Sequence, residues 1–431
     1  MQLDNATVHE SRLASGLRVI VAPQPHLHRA HLALYVRVGS RFETAAENGI
    51  SHFLEHMLYR GTDELKTAHE VNFAFERIGS YLYGATHADF GVFSVTVPPQ
   101  SLAEATRLFS HVMQKPEFQD LELEKGIVAE EILEDLDDDG RQVDADNLSR
   151  ALLYGSHPLG FTITGTEKSV RRFDVPLLRK HHQKHYTGQN AVLCFSGAVD
   201  PKEAKALAKR YFAKMPAGDR VPLVAPSPQK RALYRFVENA SSQTELRVCF
   251  RAVGRTAPER IALELLMRVI DDGMSTRLYH RICDSQGLCY DVSAGYDGYE
   301  DDGVVDFAAG VVHERTHRVT REILTLVTEL ATEGPTKAEV DKAKERHTWH
   351  LQGTLDSPEE MAELVGLTAL TGHTESAAER ARVVQGITRA ELKRAAAMLA
   401  DPKRLGVVAV GLLDRSEADE LERTVKEFAG A

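Results

Sequence analysis

The apolar positions of this chain first alternate and then change period. In "GLRVIVAP" Leu17, Val19 and Val21 fall on one face, and "HLALYVRVGS" repeats the alternation from Leu32 to Val38, stopping at Gly39 and Ser40. Both stretches predict strands. From Ile50 to Tyr59 the spacing is helical, with Asn48 as a candidate N-cap and Gly61 as the stop. Two capping boxes, Thr67 with Glu70 and Ser101 with Glu104, predict further helices through "VNFAFERIG" and "ATRLFSHVM", and "DFGVFSVTVP" between them reads as a strand. Residues 119–137 predict a long amphipathic helix on which Leu123, Ile127 and Ile132 share a face.

The pattern then recurs. Residues 215–231, "MPAGDRVPLVAPSPQKR", are proline-rich and aperiodic, which predicts a linker. Beyond them "ELRVCFRAVGR" ends in Val253-Gly254-Arg255 much as the earlier strand ends in Val38-Gly39-Ser40-Arg41, an offset of 254 − 39 = 215. A helical stretch, "ERIALELLMRVIDDG", follows, and Asp302-Gly303 opens a strand as Asp89-Phe90-Gly91 does. Order and spacing both repeat, so the expected fold is α+β: two homologous domains, each a mixed, mostly antiparallel sheet with packed helices. The expected division is residues 1–215, a linker at 216–231, and residues 232–431.

Composition narrows the class. A chain of 431 residues with 43% hydrophobic and 27% charged positions is that of a globular protein of two to three domains. The net charge of -11 argues against nucleic acid or anionic membrane as partners. No apolar run approaches the roughly 20 residues of a membrane span, and residues 1–29 lack the order of a secretory signal. The four cysteines, Cys194, Cys249, Cys283 and Cys289, show no metal spacing and no disulfide framework. A reduced, cytoplasmic setting is the expectation.

Chemistry concentrates in "HFLEH". His52 and His56 at i and i+4 share a helix face with Glu55 beside them; two neutral imidazoles suit zinc, and an adjacent carboxylate can deprotonate water. The order H-x-x-E-H inverts the common zinc-hydrolase signature. In a chain with 19 histidines such a match arises by chance on the order of one time in ten, so a third ligand is the test. Glu131 is the best candidate, 131 − 56 = 75 positions on, with Glu124 two turns earlier on the same face. Unpaired charges among Ile127, Val128 and Ile132 would be costly, and a metal would explain them. The second half has "ALELLM" where the first has "HFLEH", so this chemistry belongs to the first half alone.

Together, "GSRFE", "HFLEHMLYRGT", "EKGIVAEE", "HPLGFTITGT", "YTGQNAVLCFSGAVD" and "GMSTRLYHRICDSQGLCY" make nearly the whole chain resemble the pitrilysin/insulinase-type zinc metallopeptidases, the inverzincin group that includes the mitochondrial processing peptidases and small bacterial relatives. The resemblance implies that His52, His56 and Glu131 bind Zn2+, that Glu55 is the general base, and that Glu124 orients a ligand. It further implies two similar domains enclosing a chamber, and a peptide substrate bound extended along Tyr83, Gly84, Ala85 and Thr86.

Two departures stand out. Relatives carry a run like N-A-x-T where this chain has Tyr83-Gly84-Ala85-Thr86. They also pair an arginine with a tyrosine seven residues on, both contacting substrate near the metal; the resemblance implies that catalytic role for Tyr290, but position 290 − 7 = 283 is cysteine. Arg277 and Arg281 are expected on other helix faces. The chain is accordingly expected to be a zinc-dependent metalloendopeptidase acting on unfolded peptides or leader segments, completed in a dimer by a homologous partner that supplies the Arg-Tyr pair. Weakened turnover as a monomer or homodimer is a second reading, and a catalytically inactive peptide-binding or scaffold protein of the same family is the alternative.

Three other features read as structural. His181, His182 and His185 are expected on a solvated helix end, and the acidic run 134–140 at a solvated helix terminus. Cys283 and Cys289, with no base in view, read as small buried hydrophobes.

Overall fold

The alternating runs become strands of two separate sheets in the computed structural model, which describes residues 7–430. The start of the polar N-terminal stretch, residues 1–6, lies outside the described residues. The first sheet contains β1 (His9–Arg12), β2 (Arg18–Pro23), β3 (Ala30–Val36), β4 (Tyr83–Thr86), β5 (Gly91–Val97) and β6 (Ala191–Gly197), in the order β1-β2-β6-β3-β5-β4. Central strands β3 and β6 are buried along their whole length, as strands covered on both faces must be. The second sheet contains β7 (Leu233–Glu238), β8 (Thr244–Val253), β9 (Cys289–Gly298), β10 (Asp302–Val311) and β11 (Leu405–Gly411), in the order β7-β11-β8-β10-β9.

Removing β1 leaves two sheets of the same order and orientation. β2 runs parallel to β6 as β7 does to β11, and the remaining pairs of both sheets are antiparallel. The equivalence extends to single residues. A Cβ on Gly39 would collide with the His87 carbonyl, and one on Gly254 with the Asp302 amide, so each glycine admits the turn that opens β5 or β10. The fold is therefore α+β with two homologous mixed sheets and packed helices.

The packing units are not two halves of the chain. One holds the residues up to Glu134 with Phe161–Val224 and His350–Arg380; the other holds Asp135–Gly160, Ala225–Trp349 and Ala381–Ala431. In the first unit the helix Pro358–Leu370 covers the sheet, seating Met361, Ala362, Val365 and Ala369 on Ile20, Ala33, Tyr35 and Cys194. In the second, Ala145 and Leu148 of the helix Ala145–Tyr154 pack on Val408 and Val410. These helices begin 358 − 145 = 213 residues apart, close to the repeat offset. They are repeat equivalents, each covering the other copy's sheet. The stretch 216–231 has no regular structure; its first part is held in unit one, where Arg37 donates to Val221 O (3.0 Å), and its later part in unit two, where Arg251 donates to Ser227 O (2.5 Å).

The first five helices are α1 (Ile50–Leu58), α2 (Ala68–Glu76), α3 (Leu102–Gln114), α4 (Leu121–Leu133) and α5, the Ala145–Tyr154 helix. Thr67 and Glu70 form the expected capping box. Ser101 does not cap α3: Pro99–Ser101 is a 3-10 turn running into the helix, so Ser101 is already helical at φ -92°, ψ -3°. Helix α4 is shorter than 119–137 and buries a different face. Glu124, Val128 and Ile132 point inward, while Leu123 and Ile127 are exposed. The acidic run after α4 is a turn, with Arg141 donating to Asp137 (2.7 Å).

His181, His182 and His185 are buried, contrary to the solvated end expected of them. Each has a specific partner: Ser51 Oγ at 3.1 Å, Met113 O at 2.9 Å and Arg37 O at 2.9 Å. Burial pushes all three imidazoles down, His182 and His185 to about 4, so they remain neutral core residues.

Candidate metal centre

Helix α1 has only nine residues, too few to be stable alone, and almost every side is packed: Ile50, Phe53, Leu54, Met57 and Leu58 are buried. Its N-cap is Gly49, not Asn48, and no side chain caps it in the usual way. Gly49 adopts φ +90°, and a Cβ there would lie 2.5 Å from Thr164 O, so only glycine fits. The orphan amides of the first turn are satisfied from a distance. Glu43 accepts from Gly49 N (2.8 Å), Ser51 N (2.9 Å) and the Asn48 side chain (3.1 Å). A fully buried carboxylate at the helix N-terminus thus anchors α1, while burial pushes its pKa up and these donors oppose the shift.

On this anchored helix His52, Glu55 and His56 fall within one arc. The two imidazole rings lie 4.6 Å apart between centroids. Helix α4 brings Glu131 to them, with Oε1 3.4 Å from His52 Nε2 and Oε2 3.7 Å from His56 Nε2. One ligand atom from each of the three lies within 4.8 Å of the others, the one such group of histidine, cysteine and acidic residues found among the described residues. Two atoms held about 2.0–2.1 Å from one tetrahedral zinc would themselves be roughly 3.3 Å apart. The observed spacings fit.

The outer partners fit as well. His56 Nδ1 lies 2.8 Å from Glu124 Oε1; a carboxylate can only accept, so Nδ1 carries the proton and Nε2 keeps a free lone pair. Glu124 also receives Arg60, a residue the sequence reading overlooked although it stands four positions after His56. Burial raises the Glu124 carboxyl, and the bonds from His56 and Arg60 outweigh it to give a net lowering. For His56, burial pulls the pKa down, but the Glu124 bond and the charges of Glu124, Glu131 and Glu55 leave it raised. Glu55, Glu124 and Glu131 against Arg60 amount formally to −3 + 1 = −2, the charge that one divalent cation and two neutral imidazoles balance. His52 Nδ1 is buried with no hydrogen-bond partner among the described residues.

Strand β4, Tyr83–Thr86, is the edge of its sheet, paired on one side only with β5. Residues 84 and 86 face α1. Thr86 Oγ1 donates to Glu55 Oε2 (2.5 Å), and a Cβ on Gly84 would stand 2.5 Å from Tyr59 Oη and 3.1 Å from Glu55 Oε1. Gly84 therefore lets the edge strand lie directly on Glu55. Tyr83, facing the other way, is half exposed.

In the second unit Tyr290 is 93% exposed at the start of β9, itself an edge strand. Arg277 is bonded to Glu339 (2.5 Å) and Arg281 to Glu329 (2.5 Å), so both are engaged within their own unit. No helix among the described residues is long and apolar enough to cross a membrane.

Comparison with known proteins gives the chain a family. Residues 18–167 match the family Insulinase (Peptidase family M16), and residues 172–346 match the Peptidase M16 inactive domain. The chain is 30% identical to the uncharacterized zinc protease YmxG of Bacillus subtilis over 80% of its own length and 83% of the relative's. It is also 30% identical to an uncharacterized zinc protease of Mycobacterium bovis, over 93% and 92%. A protease from Helicobacter pylori shares the fold at TM-score 0.87 and 20% identity, covering 94% of this chain and 99% of that one. A peptidase M16 inactive domain structure from Pseudomonas fluorescens does so at TM-score 0.87 and 23% identity, covering 95% and 98%. Matches that run through both repeats, at this identity and over this much of both partners, make the chain a member of the insulinase family of peptidases, family M16.

Proposed function

We propose that the chain is a zinc-dependent metalloendopeptidase acting on unfolded peptides or leader segments. The observation that carries this is the convergence of His52, His56 and Glu131 to within 4.8 Å beside a glutamate, Glu55, that is tied to an edge strand. His52 and His56 offer Nε2 and Glu131 a carboxylate oxygen to the metal. Zinc held there would supply Lewis acidity, making a water easier to deprotonate and polarising a carbonyl.

Glu55 takes the proton from the attacking water and returns it to the leaving amine, so no covalent intermediate is needed. Thr86 holds that carboxylate in place through one oxygen and leaves the other for proton transfer. Glu124 keeps His56 in the tautomer that can ligate. The substrate adds as a strand to β4, which reads backbone amides rather than side chains and gives loose sequence preference. Tyr83, exposed on that strand, shapes the neighbouring subsite.

Metal analysis joined to cleavage of a quenched peptide tests the reading. The protein should carry about one zinc per chain and cleave, and Glu55→Gln should keep the metal and lose cleavage. Equal cleavage by both proteins defeats the proposal. A partner subunit carrying the Arg-Tyr pair is favoured by one observation: Cys283 stands at the arginine position, and Arg277 and Arg281 are both engaged by glutamates. Adding a homologous subunit with that pair should raise the rate; an unchanged rate returns the chain to a self-sufficient or purely peptide-binding role.

A further inference from the structure

Two cysteines of the second unit are brought together by a built turn. Cys194 and Cys249 are buried, but Cys283 and Cys289 are half-buried, and their sulfurs lie 3.9 Å apart. Cys283 belongs to a π-helical turn, His280–Asp284, and Cys289 is the first residue of edge strand β9, opposite Val311 where the register shifts. The five residues between them fold back on themselves: Gly287 N donates to Cys283 O (3.0 Å), and Leu288 N to Ile282 O (2.9 Å). Arg315 pins the tip by donating to Gly287 O (2.7 Å). Both thiols pack on the core of their own unit, which holds their side chains on the same side of the turn.

We infer that Cys283 and Cys289 are a redox modification site, forming a reversible intramolecular disulfide with a low-molecular-weight disulfide as oxidant. The sulfurs must close by about 1.9 Å to reach the S–S length of about 2.05 Å, a distance side-chain rotation can cover. One thiolate attacks the oxidant, forming a mixed disulfide and expelling one low-molecular-weight thiolate. The second thiolate attacks the protein sulfur of that mixed disulfide, forming the Cys283–Cys289 bond and expelling the other. Two protein thiols are oxidised, one small disulfide is reduced, and the two protons pass to the departing thiolates. Burial, joined by the neighbouring Cys283, pushes the Cys289 thiol up to about 12, and burial raises Cys283 as well. Thiolate is scarce at neutral pH, so exchange is slow and accelerates with pH, as suits a site that follows redox balance rather than peroxide bursts.

The closed ring would clamp the backbone immediately before Tyr290. If that residue meets substrate, as the family resemblance implies, oxidation changes peptide cleavage; the disulfide itself does not depend on that reading.

Incubating the full chain in glutathione buffers at pH 8 and taking intact mass without reductant tests the bond. Oxidised glutathione should give a loss of about 2 Da, two hydrogens, with a linked Cys283–Cys289 peptide on digestion, reversed by excess reduced glutathione. Amide exchange at residues 287–291 should slow severalfold on oxidation, and Cys283→Ser should stop at one glutathione adduct on Cys289. Free thiols throughout, separate glutathione adducts on both cysteines of the wild-type chain, or a bridge to another cysteine would overturn the inference. These outcomes are read without any cleavage assay, so a chain that bridges but never cleaves refutes the peptidase reading alone.

Discussion

Glu43 is the residue whose replacement most directly tests how the metal helix is held. Its carboxylate satisfies two backbone amides at the start of α1 and the Asn48 side chain. Hydrogen bonds to a charged acceptor contribute about 1.5–3 kcal/mol each, and an unsatisfied buried donor costs about 1–3 kcal/mol. The carboxylate is fully buried, however, and its raised pKa records a desolvation cost that offsets part of this gain. Glu43→Gln keeps one acceptor oxygen and turns an amide NH2 toward a donor, so the net local loss should be about 1–2 kcal/mol. The effect is confined to the first turn, where His52 sits, while Glu124 and Glu131 stand on another helix. Hydrogen exchange should therefore accelerate about five- to thirtyfold for amides 49–53 and stay unchanged in α4. Zinc affinity should fall by about tenfold for each 1.4 kcal/mol of helix-end order lost. Exchange at 49–53 indistinguishable from wild type, with zinc affinity intact, would refute the claim that Glu43 anchors the helix.

Three further changes have expected outcomes. Glu124→Ala removes the acceptor that fixes His56 and strands Arg60, so zinc affinity measured by chelator competition should drop about 10–100-fold, and an unchanged affinity would contradict the orienting role. In the metal-free protein the raised His56 pKa gives stability that is fully present below its unfolded value of about 6.5 and fades as pH rises through the folded value. Protons compete with zinc for the same imidazole, so on acidification toward pH 6.5 the metal-free melting temperature should rise while that of the zinc-loaded protein falls; parallel slopes would sink the ligand assignment. Gly84→Val drives a side chain against Tyr59 Oη and Glu55, and should cut peptide cleavage at least tenfold at about 1–3 kcal/mol of stability, with zinc content unchanged. Full activity in that variant would place the substrate elsewhere.

Much of the site was legible because it is written in short-range spacing. An i, i+4 histidine pair with an intervening glutamate fixes its own geometry once the stretch is helical, and Glu131 with Glu124 required only a second helix of the right phase. What stayed hidden depends on contacts distant in sequence or on burial. Glu43 lies within "GSRFE", yet nothing local shows that it reaches forward to Gly49 and Ser51. Helix α4 carries apolar residues around most of its circumference, so periodicity selected Leu123 and Ile127 where the fold buries Val128 and Ile132. The histidines at 181–185 looked polar and solvated because a sequence cannot show that Ser51, Met113 O and Arg37 O await them. Repeat length revealed the duplication, but not that α5 and the Pro358–Leu370 helix are exchanged between copies.

Among the described residues only one copy of the repeat carries the candidate metal site. In the second unit the helix Arg260–Ile270 places Leu263, Leu266 and Met267 into a continuous apolar core. In the first, α1 turns His52 and His56 toward Glu131, Glu124 and Arg60. A helix of leucines packs without further help, whereas an inward constellation of imidazoles and carboxylates is costly unless each polar atom is matched. The matching has been built around it: Glu43 under the helix start, Arg60 on Glu124, and Thr86 on Glu55. His56→Leu should therefore leave Glu43 anchoring the helix and Glu124 still paired with Arg60, so that it destabilises the first unit less than His56→Leu combined with Arg60→Leu, which leaves Glu124 buried without a partner. If the double variant is as stable as the single one in thermal melts, the polar network is not what the buried Glu124 carboxylate depends on.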